Sequence, residues 1–218
     1  MTHDPAVVRT AYHEAAHAAA AYVFGRPVSL VSIRPGAHFL GVTTWTPGRF
    51  PGEAPVDIPA IMWPAKARRA IETSIVVSLA GSLGAMLSGW PEEDGYRAPP
   101  DEDEAERSAR VLAGLSERET ATLAGLESAT EPIPADDERA RRLSWAIAGT
   151  SEAGLHLAYM RGVTRSLVYN PNFGRLLEAL VPELLERGVL SGRRVREILS
   201  AAEGRLPPAT QIAAEVTT

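Results

Sequence analysis

The chain has 218 residues, 45% of them hydrophobic and 22% charged, with a net charge of −5 and no cysteine. That is enough for one domain with a real core. The composition excludes disulfides, cysteine-ligated zinc and thiol catalysis, and it gives no general affinity for nucleic acid or anionic membrane.

Residues 4 to 24 read as a helix, with Asp4 as N-cap, Pro5 at the first helical position and Gly25 as the stop. "PVSLVSIRPGAHFLGVTTW", residues 27 to 45, reads as two short strands around a Pro-Gly turn. A proline-rich loop follows to residue 64, and residues 65 to 88 read as helical. This region holds the most apolar window, "SIVVSLAGSLGAMLSGW". It falls short of the roughly 20 apolar residues a spanning helix needs and carries four serines and three glycines, so a buried core helix is expected.

An acidic connection then leads to a helix ending near Leu115, a short helix, and a linker, "ATEPIPADD". Residues 137 to 168 read as helical, with a break at "YNPNFG". Two amphipathic helices close the pattern, Gly188 stopping the first and Ser191 capping the second. The expected fold class is a mainly helical α+β domain over residues 1–205. It divides into a metal-site half (1–115), a variable helix and linker (116–136) and a helical part (137–205), with 206–218 as a frayed tail. No signal peptide, membrane segment or ATP-binding loop is read in the chain, and a cytoplasmic location is expected.

The first helix contains His-Glu-Ala-Ala-His. Residues four apart share a helix face, so His13 and His17 can reach one metal ion. Glu14 lies about 100° round the axis, within reach of a water on that metal. Zinc lowers the pKa of such a water towards 7, which lets a neighbouring carboxylate take its proton. Ala20 and Ala21 continue the histidine face and are expected to leave access open. A catalytic zinc needs a third protein ligand. His156 reads as a core or partner-contacting histidine and His38 as a loop histidine, while Trp45 and Trp63 are the better cleft candidates.

Three stretches resemble the peptidase domain of FtsH, the membrane-bound ATP-dependent zinc protease. "AYHEAAHAAAAYVFGRPVSLVSIRPGAHFLGVT" resembles that family's HEAGHAL helix, strand, turn and "LGVT" strand, with Ala16 in place of the usual glycine. "LAGSLGAMLSG" resembles its "LGGRAAEE" segment through Leu79, Gly81 and Ala85, with Met86 where the family has a glutamate. "DEDEAERSARVL" resembles "NDLERATRIARAM", which carries the family's last zinc ligand. That register puts Asp101 on the ligand, with Glu104 and Asp103 as alternatives.

The resemblance implies a zincin-like fold with a small sheet and a C-terminal helical bundle. It implies a zinc metalloendopeptidase in which His13, His17 and Asp101 hold Zn2+ and Glu14 is the general base. Flexible or unfolded polypeptides would be the substrates. Nothing matches the family's ATPase module or membrane anchor, so a separate ATPase or regulator is the partner expected to unfold substrates. Gly41, Val42, Thr43, Thr44 and Trp45 form the strand expected to bind an extended peptide by β-augmentation. The alternative is a catalytically weak or inactive zinc-containing interaction module that keeps the fold.

Overall fold

Helix α1, Pro5–Val23, begins as expected: the Asp4 carboxylate accepts from the Ala6 amide, and Pro5 occupies the first turn. The computed structural model describes residues 3–36, 40–46, 64–89 and 136–204, apart from the side chains of residues 150 and 151. Within α1 the run Ala15, Ala16, Ala18, Ala19, Ala20 and Ala21 has no exposed surface. A helix apolar on every side is a buried helix, and alanine lets neighbours approach closely. Ala20 and Ala21 are therefore core residues, not the open approach that the sequence suggested.

Chain reversal at Gly25 (φ 64°) leads to β1, Val28–Ser32, and then to β2, Val42–Trp45. The two strands pair antiparallel, with Leu30 opposite Thr44 and Ser32 opposite Val42. Helix α2, Ala65–Met86, packs along α1 and is buried from Thr73 to Gly81 and again at Gly84 and Ala85. Helix α3, Asp136–Val168, packs on α2 and is interrupted at Gly149 (φ 72°, ψ 178°), a break absent from the sequence reading.

Asn170 caps α4, Pro171–Arg187, which ends at Gly188 in the left-handed conformation (φ 73°). The chain break predicted at "YNPNFG" is thus a single capped junction. A short β3, Val189–Ser191, unforeseen in the sequence, adds to the other side of β1, and Ser191 then caps α5, Gly192–Glu203. The sheet order is β2-β1-β3. The architecture is a mainly helical α+β fold, as expected, with β2 at one sheet edge among the described residues. One core cluster joins α1, the sheet, α4 and α5, and a second joins α2 to α3 through Ile71, Ile75, Leu79, Ile147 and Met160.

Small residues set the α1–α2 separation. A Cβ built on Gly84 would collide with the Ala16 methyl and lie 2.9 Å from the Tyr12 carbonyl oxygen. The Ala16 methyl is received by a glycine on the facing helix.

Helical Gly→Ala changes ordinarily stabilise by about 0.5–1 kcal/mol. Gly84→Ala is expected to do the reverse, costing about 1–3 kcal/mol through overpacking. Adding Ala16→Gly should recover part of that loss, and urea unfolding of the two variants and their combination checks it.

Candidate metal centre

His13 and His17 lie one turn apart on α1 and present their Nε2 atoms 3.1 Å from each other. Oδ2 of Asp136, the first residue of α3, lies 3.0 Å from each. On the other side of the His17 ring, Nδ1 stands 2.6 Å from the Val77 carbonyl oxygen of α2. A carbonyl only accepts, so Nδ1 carries the proton and donates, and in the neutral ring the Nε2 lone pair faces His13 and Asp136. Electron-rich atoms converging at this distance require a proton or a cation between them.

Gly81, one turn beyond Val77, keeps the space clear. A Cβ there would strike Nε2 of His17 and come within 2.6 Å of Nε2 of His13. The His17 side chain is 4% exposed, whereas His13 and Asp136 are 30% and 31% exposed, so the cluster is walled on one side and open on the other. Two imidazoles and a carboxylate oxygen around a clear, partly open point form a donor set that could hold a metal ion.

Burial alone would lower the His17 pKa. The hydrogen bond and charge of Asp136, the charge of Glu14 and the Val77 carbonyl outweigh it and raise the pKa to about 9. For Asp136 burial acts upward, but its bonds to His13 and His17 hold it well below the usual carboxylate range. Below the raised His17 pKa, a proton on His17 would occupy the cluster in metal-free protein.

Glu14 is buried on the neighbouring face of α1. Thr43 of β2 donates its hydroxyl to Glu14 Oε2 at 2.7 Å, with the Glu14 carbonyl oxygen a second acceptor at 3.0 Å. Burial raises the carboxyl pKa; the imidazoles of His17 and His13 and the Thr43 bond oppose the rise, and Asp136 adds to it. Gly41 packs against this side chain: a Cβ there would lie 2.8 Å from Glu14 Cγ and 3.0 Å from Oε1. Trp45, at the end of β2, stacks beside His17 with ring centroids 6.0 Å apart and planes at 22°.

The structure thus brings His13, Glu14, His17, Gly41, Thr43 and Trp45 together. Val42 and Thr44 lie on the same strand, both partly buried, with Thr44 near the Leu30 carbonyl of β1. Asp101, Asp103, Glu104, His38 and Trp63 lie outside the described residues. Met86, the last residue of α2, is 63% exposed and supports neither histidine. His156 is half-buried on α3, and neither ring nitrogen has a hydrogen-bond partner among the described residues.

Asp136 was missed. Sequence reasoning assigned it to the linker "ATEPIPADD", whereas it opens α3. One signal marked it: Asp136 heads a helical stripe through Ala140, Ser144 and Ile147, which the fold buries. No protein-family model and no curated protein matches the chain.

Two outcomes are expected. In metal titrations, wild type takes up one divalent ion per chain. His13→Ala, His17→Ala, Asp136→Ala and Gly81→Ala lose it, while Asp101→Ala, Asp103→Ala and Glu104→Ala keep it. In chelator-treated protein, a His17 pKa raised from 6.5 to about 9 contributes stability that is full below pH 6.5 and lost as pH rises through 9. Unfolding free energy should therefore fall by on the order of 2–3 kcal/mol from pH 6 to pH 10. Metal affinity should rise over the same range, because the metal displaces that proton.

Proposed function

We propose that the protein is a zinc-dependent metallopeptidase of the zincin kind that hydrolyses peptide bonds in flexible or unfolded polypeptides. The observation that carries this reading is the convergence of His13, His17 and Asp136 on one clear point, with the buried carboxylate of Glu14 next to the first histidine. Resemblance to the FtsH-type peptidase domain supports the same chemistry, with Asp136 in the ligand position instead of Asp101.

His13, His17 and Asp136 would hold the zinc, which when bound would lower the pKa of a water molecule towards neutrality and polarise a carbonyl group. Glu14 takes the proton from the attacking water and later passes it to the leaving amine. Its buried setting suits both steps, since burial raises its pKa towards the range where a carboxyl group can accept and return a proton. Thr43 fixes Oε2 through its hydroxyl. Val77 fixes the His17 ring through Nδ1. The polypeptide lies along β2 as an added strand, so main-chain hydrogen bonds hold it with little regard to sequence.

Glu14→Gln is expected to retain zinc and lose at least about 100-fold in turnover of a disordered protein substrate. Thr43→Val should retain zinc and lose a smaller factor in kcat. Turnover that is unaffected by Glu14→Gln would contradict the assignment of the base. Zinc binding without any turnover in wild type would favour a zinc-containing interaction module.

A further inference from the structure

Five arginines of α3 lie among the described side chains, and four of them find partners on or beside the helix. Arg141 pairs with Asp137 and Glu138, Arg142 with Glu138, and Arg161 with Asp137. Arg165 lies over the Tyr169 ring. Arg139 differs. It sits one turn after Asp136, and its guanidinium carbon lies 4.7 Å from the centroid of the Trp45 ring. It makes no ion pair or hydrogen bond among the described residues, although Asp137 and Glu138 are its sequence neighbours. Asp136 senses its charge but is turned to the histidines.

A guanidinium cannot shed its charge, and among the described residues no anion is bonded to its partly buried donors. The Trp45 face holds the guanidinium group by a cation–π contact. The planar fork of donors on a guanidinium matches a carboxylate. Trp45 links it to the site, since the same indole stacks beside His17 and ends the strand along which substrate is placed. We propose that Arg139, held by Trp45, is a specificity residue that binds a substrate carboxylate, so that the peptidase prefers an Asp or Glu side chain at one position close to the cleaved bond. This rests on the peptidase reading above, in which the peptide runs along β2.

The experiment measures binding before turnover. Zinc-loaded Glu14→Gln is titrated with fluorescent peptides that carry Glu, Gln or Lys at a single scanned position, and the titration is repeated with Arg139→Gln and Arg139→Glu added. At one position the Glu peptide should bind about tenfold or more tighter than the Gln peptide. That preference should vanish in Arg139→Gln and turn towards Lys in Arg139→Glu, with Gln-peptide affinity and zinc content unchanged. The same position should appear as an acidic preference when wild type cleaves a peptide library.

Equal loss of Glu and Gln peptide binding, loss of zinc without a change in preference, or no acidic preference at any position would overturn the proposal. A residue acting on the reacting carbonyl instead would lower kcat for every peptide alike, and that result also overturns it. Acidic preference in binding without turnover in wild type would sink the peptidase reading and leave the carboxylate site standing.

Discussion

Three electron-rich atoms, Nε2 of His13, Nε2 of His17 and Oδ2 of Asp136, lie within 3.1 Å of one another. They repel unless a positive charge stands among them. The surrounding structure serves this constraint. The Val77 carbonyl commits Nδ1 of His17 to donating and turns Nε2 towards the cluster. Gly81 supplies no side chain to fill the gap. Asp136 brings its negative charge at the first residue of α3, where the helix dipole favours an anion. A proton satisfies the arrangement on its own, and a divalent cation satisfies it better because it can engage all three atoms at once.

The fold divides the chemistry between its layers. Helices α1 and α3 carry the candidate metal ligands and α2 orients one of them through Val77, and they can do so because α1 is built from alanines that let its neighbours come close. The Ala16–Gly84 contact sets the α1–α2 spacing in the same stretch that carries Val77 and Gly81. The sheet supplies the other side. Thr43 of β2 fixes Glu14 and Trp45 of β2 lies against His17, so the strand that holds the Glu14 carboxylate also lies at a sheet edge among the described residues. Packing of β3 and α5 behind β1 keeps that strand in place.

Much of this was legible in the sequence because the signals were local. The cap at Asp4, the histidines four residues apart, the reversal at Gly25 and the Gly188–Ser191 junction each depend on a few neighbouring residues. What escaped depended on contacts distant in sequence. Asp136 is a ligand candidate only because α3 returns across α2 to reach α1, 119 residues from His17. In the sequence it stands among prolines and acids that look like a linker. β3 is three residues long and becomes a strand by pairing with β1, without any pattern of its own. The break at Gly149 sits inside a run with helical composition on both sides. Ala20 and Ala21 were misread because a helix face was judged without the elements that cover it.

Zinc K-edge X-ray absorption of the purified, zinc-loaded protein tests the central claim most directly. The account predicts one zinc per chain in wild type, bound by two imidazoles and oxygen donors, and no such zinc environment in His17→Ala or Asp136→Ala. Failure of wild type to hold zinc, or the wild-type zinc environment retained in either variant, would contradict it.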